Sequence, residues 1–290
     1  VPTAAEPSAA PDFLPALTGS FSSPAAGNPT GVMVEAAYRH HGIHARYVNC
    51  EVAAGQVASA VAGAWAMGWV GFNCSLPHKV AVLETLVGLS ESAEIIGAVN
   101  CAVRADTGFI GHNTDGKGFL TSLQTVADPG GASIVLYGAG GAARAVAVEL
   151  ALAGAAEIVV VNRDRGRGQE LVDLIDRRTP ARARLEQWQP AHPVPAAADV
   201  VVNATSVGLF PDVGARPDLD YATLRAGQVV ADVIFNPVST RLLRAAEEAG
   251  CVPLDGRGML VNQAVEGIRL WTGVEVDAGV MSGVLDRALR

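Results

Sequence analysis

Three short segments of this sequence set polar side chains directly after apolar stretches: Asn73-Cys74-Ser75-Leu76-Pro77-His78-Lys79, Gly97-Ala98-Val99-Asn100 and Asn113-Thr114-Asp115-Gly116. A lysine paired with an aspartate can move a proton on or off a substrate oxygen, because a neighbouring charge and partial burial tune the ammonium toward working pH. Hydride transfer at a secondary alcohol requires that proton step. Asparagine amides such as Asn100 add hydrogen bonds to neighbouring hydroxyls without committing a charge. Alone, the pairing of Lys79 with Asp115 carries little weight, since most lysines and aspartates are solvated surface groups.

A second chemistry resides in Gly138-Ala139-Gly140-Gly141-Ala142-Ala143, which fits the pattern GxGxxA. The first glycine permits a tight turn, the second lets the backbone approach a pyrophosphate, and the small last residue lets helix and strand pack closely. A helix starting there offers free N–H groups and partial positive charge to phosphates. The next strand ends Val161-Asn162-Arg163, with Arg165 and Arg167 just behind. NAD-binding versions place an acidic residue at that point for the ribose hydroxyls. Here Arg163 and Arg167 are placed to hold a 2′-phosphate, so NADP is favoured and NAD stays open. Asp164 is discordant, because a carboxylate would repel the phosphate and could pair with a ribose.

The elements needed to position these groups alternate in the strand–helix manner of parallel-sheet proteins. A helix is expected over Gly31 to His41, strands over Ala45 to Cys50 and Gly68 to Asn73, and a helix over Lys79 to Leu86. Ser133 to Tyr137 reads as a strand, Ala142 to Ala153 as a helix and Glu157 to Val161 as a strand. Val200 to Asn203 and Val229 to Ile234 complete a doubly wound sheet. Gly258 to Trp271 reads as a helix through Leu260, Val261, Ala264, Val265 and Ile268, expected to pack back on the first half. A polar junction near His112 to Gly118 divides the halves.

Composition excludes several classes. With half of its 290 residues hydrophobic, the chain can bury a large core without staples. A net charge of −8 argues against nucleic-acid or anionic-membrane partners. No apolar run reaches the roughly 18 residues of a membrane span. Cys50, Cys74, Cys101 and Cys251 are scattered without metal spacing, and His40, His41 and His44 form no metal set, so no metal is expected. The cysteines read as reduced thiols of a cytoplasmic protein. Val1 to Pro15, rich in Ala and Pro, reads as a flexible leader.

The segments NCSLPHK, IGAVN, GHNTDGKGF, YGAGGAARA, VVNR, NATSVG, DVIFNP and DGRGMLVNQAVEG follow one another from about Asn28 to Gly273. In order and spacing they resemble the shikimate/quinate dehydrogenases. The resemblance implies a two-domain α/β fold, with an N-terminal substrate domain and a Rossmann-like NAD(P)-binding domain. C-terminal helices would pack back on the first domain. The corresponding boundaries are 16–116 completed by 252–290 for substrate, and 117–251 for cofactor. The implied activity is reversible NAD(P)-linked oxidation at a ring hydroxyl of shikimate or a relative, in a monomer or homodimer whose partner is that small molecule. Lys79 and Asp115 become the catalytic pair. Asn100 and Gln263 become hydroxyl ligands, and Ser75 a lesser contact. The cofactor set comprises Gly138, Ala139, Gly140, Gly141, Ala142, Asn162, Arg163 and Arg167, together with Asn203, Thr205, Ser206, Val233, Gly256 and Met259. Asn203 could instead cap a following helix.

The departures bear on substrate. The family usually grips a carboxylate with two hydroxyls of a Ser-x-Ser-Pro segment plus a tyrosine in the segment matching DVIFNP. Those serine positions fall on Asn28 and Thr30, counted back from Tyr47, and the tyrosine position is Phe235. An alternative placement on Ser20, Ser22 and Ser23 requires an insertion before the helix. Losing one donor to a buried carboxylate costs about 1.5–3 kcal/mol, so specificity shifted to quinate, an aminoshikimate-like acid or a neutral cyclitol is the alternative. A non-catalytic nucleotide sensor on the same fold is the reading of another class, and retention of Lys79, Asp115, Asn100 and Gln263 opposes it.

Overall fold

The computed structural model describes residues 13–289, so most of the expected leader lies outside the described residues. Two six-stranded sheets organise the chain. The first is mixed and contains β1 (Ala16–Ser22), β2 (Ala45–Glu51), β3 (Gly71–Cys74), β4 (Gly88–Leu89), β5 (Cys101–Arg104) and β6 (Phe109–His112), in the order β2-β1-β3-β5-β6-β4. Helices α1 (Thr30–His40), α2 (Val57–Ala66), α3 (His78–Ala81) and α4 (Glu91–Ile96) connect these strands. The helix expected over Lys79 to Leu86 is shorter than that: α3 ends at Ala81 and a 3-10 turn follows over Val82–Thr85.

Helix α5 (Asp115–Leu123) leads to the second sheet, which is entirely parallel. Its strands are β7 (Ser133–Tyr137), β8 (Glu157–Asn162), β9 (Arg182–Gln187), β11 (Val200–Asn203), β13 (Val229–Asp232) and β14 (Val252–Leu254). The two-residue strands β10 (His192–Pro193) and β12 (Leu219–Asp220) pair with each other beside it. The order β14-β13-β11-β7-β8-β9 is that of the doubly wound dinucleotide-binding sheet, with the direction of winding reversing between β7 and β11. Helices α6 (Gly141–Leu152), α7 (Arg165–Arg178) and α8 (Arg241–Glu248) serve it. Buried Ile134, Leu136, Val146, Leu150, Ile158 and Val160 make the core between α6 and the sheet.

The chain then returns. Helices α9 (Arg257–Thr272) and α10 (Ala278–Ala288) pack on the first sheet, where Val261, Ile268, Trp271 and Leu285 join Met33, Tyr38 and Tyr47 in one buried cluster. Trp271 Nε1 donates to the Ala102 carbonyl of β5 at 3.0 Å. Helices α5 and α9 cross so closely that a Cβ on Gly118 would stand 2.5 Å from the Met259 carbonyl, and one on Gly116 2.3 Å from that of Ala145 in α6. Those two glycines therefore let α5 wedge between its neighbours.

Candidate active site

The C-terminal end of β3 and the first turns of α3 and α5 bring Lys79 and Asp115 together. Lys79 Nζ donates to Asp115 Oδ2 at 2.5 Å, with both side chains partly solvent-accessible. The other carboxylate oxygen, Oδ1, accepts from Asn100 Nδ2 at 2.8 Å. Asn100 is clamped in turn. Its oxygen accepts the Thr114 N–H at 2.6 Å, and its amide also reaches Thr114 Oγ1 at 3.0 Å and Gln263 Oε1 at 3.5 Å. Gln263 arrives from α9, 163 residues further along the chain. The four residues read as catalytic pair and hydroxyl ligands are therefore one connected network. His78 stands outside it, buried with Nε2 2.8 Å from the Val52 carbonyl oxygen.

Neighbouring strands extend this polar surface with residues the sequence reading did not select. Asn73, at the end of β3, accepts from the Tyr47 hydroxyl at 2.8 Å and donates to the Asn100 carbonyl at 3.0 Å. Burial pushes the Tyr47 phenol well above its ordinary value, so it stays protonated and remains a donor. Asn73 opens the segment NCSLPHK, and its place directly after an apolar run was the available signal. Ser75 follows, half-buried.

At the expected carboxylate grip, Asn28 and Thr30 do lie together at the start of α1, where Asn28 Oδ1 accepts the Thr30 N–H at 3.0 Å. Asn28 Nδ2 reaches Ser20 Oγ at 3.3 Å, and Ser20 donates to Asn49 Oδ1 at 2.9 Å. Asn49 Nδ2 donates back to the Asn28 carbonyl at 3.0 Å. Of the alternative placement only Ser20 joins Asn28, because the Ser22 hydroxyl is buried without a partner among the described residues and Ser23 donates to Glu51 Oε1 at 2.6 Å. Phe235 is half-buried in the loop after β13 and offers no polar atom.

The second sheet presents a cradle for a dinucleotide. Gly138 follows β7 with φ 112°, a conformation that favours glycine, and a Cβ there would stand 3.0 Å from the Ala204 carbonyl. Beyond Ala139, Cβ atoms on Gly140 and Gly141 would meet nothing within 4 Å. No side chain caps α6, which leaves the N–H groups at its start, Ala142 among them, for an anion. These features fit a pyrophosphate. Asn203 is fully buried and caps no helix. Its oxygen accepts from Thr205 N–H and Oγ1, and its amide donates to Asp232 Oδ1 at 3.0 Å, so it shapes the loop carrying Thr205 and exposed Ser206. Burial raises the Asp232 carboxyl to about 6 against the lowering effect of its hydrogen bonds. Val233, Gly256 and Met259 gather where Gly256 N–H donates to the Ile234 carbonyl at 3.2 Å, and a Cβ on Gly256 would touch Val233.

Arg163 and Arg167 flank the start of α7, both exposed. Asn162 donates to the Asp164 carbonyl at 2.7 Å. The discordant Asp164 has a structural role: it is the N-cap of α7, its Oδ1 accepting the Arg167 N–H at 3.1 Å.

Known proteins match along this whole arrangement. Residues 22–102 match the shikimate dehydrogenase substrate binding domain, 122–209 the shikimate / quinate 5-dehydrogenase model, and 256–285 the shikimate 5′-dehydrogenase C-terminal domain. The shikimate dehydrogenase (NADP(+)) of Methanopyrus kandleri is 39% identical over 280 residues, covering 94% of this chain and 96% of its own. Among solved structures, the ligand-free 5-ketofructose reductase of Gluconobacter sp. strain CHM43 is 53% identical with a TM-score of 0.93, covering 96% of this chain and 100% of its own. Shikimate 5-dehydrogenase of Listeria monocytogenes, in complex with shikimate and NAD, is 31% identical with a TM-score of 0.88, covering 93% and 96%. Three family models in sequence order, two packed sheets and a joined Lys–Asp–Asn–Gln network lead to one conclusion: the chain belongs to the shikimate dehydrogenase family, NAD(P)-dependent oxidoreductases acting on a CH–OH group.

Proposed function

We propose that this enzyme uses NADP to interconvert a secondary alcohol and its ketone on a shikimate-type ring. The observation that carries this reading is the contact of Lys79 Nζ with Asp115 Oδ2 at 2.5 Å, locked through Asn100 to Gln263. The nicotinamide would exchange the hydride with the carbinol carbon. Lys79 and Asp115 handle the proton at the substrate oxygen, Asp115 holding the ammonium in place while Asn100 fixes the carboxylate. Asn100 and Gln263, with Ser75, orient the flanking hydroxyls. Val233, Gly256 and Met259 wall the nicotinamide end, and Arg163 with Arg167 favours the 2′-phosphate. The division of labour follows 16–116 with 252–290 for substrate and 117–251 for cofactor, the first junction falling within the opening turn of α5.

A second reading of the substrate has its own support. Phe235 gives no hydrogen bond to a carboxylate, the Asn28–Ser20–Asn49 cluster is uncharged, and the 53% identical structure is that of a 5-ketofructose reductase. All three observations suit an uncharged polyhydroxy ketone. The enzyme acts in the cytoplasm as a monomer or homodimer, without nucleic-acid or membrane partners. Steady-state assays of shikimate and quinate oxidation and of 5-ketofructose reduction, each with NADP(H) and NAD(H), test the proposal. Turnover of shikimate with NADP supports the first reading, and turnover of the neutral ketone alone selects the second. Absence of turnover on all of them, with NADP still bound, would return the nucleotide sensor.

A further inference from the structure

A cavity of about 250 Å³ opens beyond the dinucleotide fingerprint, lined by Arg163, Trp188, Val207, Arg216, Pro217 and Asp218. Arg163 stands one residue past β8 and Trp188 one residue past β9, at the C-terminal edge of the sheet on the side where the adenosine half of a dinucleotide lies. Val207 belongs to the loop after β11 that Asn203 shapes. The volume is below the roughly 300–1,000 Å³ of sites for drug-sized ligands, so the cavity suits one end of the cofactor and not the whole.

The charged groups are arranged for an anion. Arg163 stacks over Trp188 with its guanidinium carbon 5.6 Å from the ring centroid, and Arg216 over Tyr221 at 4.2 Å. Among the described residues neither guanidinium takes part in an ion pair, so their donors are uncommitted. Asp218 is the lone carboxylate of the lining, and Oδ1 already accepts the Ala191 N–H at 3.0 Å. Its backbone carbonyl accepts from Trp188 Nε1 at 3.0 Å and from the His192 N–H at 3.2 Å. These bonds clip the Trp188 loop to the Arg216 loop. They also hold Ala191 at φ 48°, a left-handed conformation uncommon for residues other than glycine. A strained, multiply fastened wall is preorganised.

We propose that Arg216 and Trp188 complete, with Arg163, the pocket for the 2′-phosphoadenosine end of NADP: two stacked guanidiniums for the phosphate and the indole for the base. This rests on the NADP reading above. Arg216 is thereby a cofactor-specificity residue some fifty positions beyond the strand end from which such residues are ordinarily read.

The test uses the intact enzyme and titration calorimetry with 2′,5′-ADP and 5′-AMP, which differ by the phosphate in question. Arg216→Ala should weaken 2′,5′-ADP roughly tenfold and leave 5′-AMP nearly unchanged, as for loss of one charge-assisted contact. Arg216→Lys should recover part of the loss. Trp188→Ala should weaken both probes by a similar factor, because stacking does not sense the phosphate. Thermal unfolding of each variant checks that the fold is intact. Unchanged 2′,5′-ADP binding in Arg216→Ala, or an equal loss for both probes, overturns the assignment of Arg216. Arg163→Ala separates the two ideas. If it weakens 2′,5′-ADP while Arg216→Ala does not, only the present inference fails. If neither does, or if the parent enzyme binds both probes equally, the NADP reading fails with it.

Discussion

Lys79 and Asp115 are 36 positions apart in the chain, yet their side chains meet at 2.5 Å because β3 and β6 end on the same edge of the first sheet. Each is the second or first residue of its helix, so neither can drift without unwinding a turn. That placement makes the pairing of Lys79 with Asp115 a property of the scaffold.

Lys79→Ala should lower turnover about 10²–10⁴-fold, the usual span for removing a general acid–base group. Cofactor affinity, read by fluorescence titration, should stay the same. Normal turnover combined with weakened NADP binding would reverse the assignment.

Arg163→Ala should weaken NADP by about 1–2 kcal/mol, less than for a buried charge-assisted contact because the side chain is exposed. NAD affinity should change little. The comparison is between dissociation constants for the two cofactors, and equal losses would place the 2′-phosphate elsewhere.

Phe235→Tyr should return a hydroxyl to the substrate end. If that end grips a carboxylate, the KM for shikimate should fall by roughly tenfold, the equivalent of about 1.4 kcal/mol for one added donor. An unaltered KM for shikimate would remove position 235 from contact with the acid.

Asp232 supplies a pH test. Its carboxyl is raised by burial from an ordinary 3.8 to about 6 in the folded protein. Its contribution to stability is therefore complete below about pH 3.8 and is lost as the pH rises through about 6. At about 1.36 kcal/mol per pKa unit, the loss across that window is up to about 3 kcal/mol. Asp232→Asn can keep the bonds to Asn203, Ile234 and Thr240 while removing the titration. Urea midpoints at pH 4 and pH 7 should show the variant gaining on the parent as the pH rises. A difference that does not vary with pH would mean that Asp232 titrates outside this window.

The four central strands of the second sheet were legible because they are apolar runs buried on both faces, as in Val200–Asn203, whereas the edge strands β9, with the polar sequence RARLEQ, and β14, only three residues long, were not. The glycine turn was legible because its requirements are local. Strand β1 was not, although it sits between β2 and β3. Alternate residues Thr18, Ser20 and Ser22 are buried but polar, and the first two are matched to partners from other elements: Thr18 to Tyr38, Ser20 to Asn49. A strand whose inward face is built from hydroxyls does not announce itself by hydrophobic alternation. The same holds for Asn73, Tyr47 and Asn49 in the site, whose worth depends on neighbours far away in sequence. Arg216 is the extreme case, a residue in a loop with no motif around it.

The return of α9 and α10 to the first sheet also sets an order of events during synthesis. All strands of the second sheet leave the ribosome before Val261, Ile268 and Leu285, so that sheet can fold while Met33 and Tyr38 still lack the helices that cover them. Gln263 reaches Asn100 only then. The Lys79–Asp115–Asn100–Gln263 network is consequently among the last parts of the molecule to be completed, after the glycine turn that follows β7 has already formed.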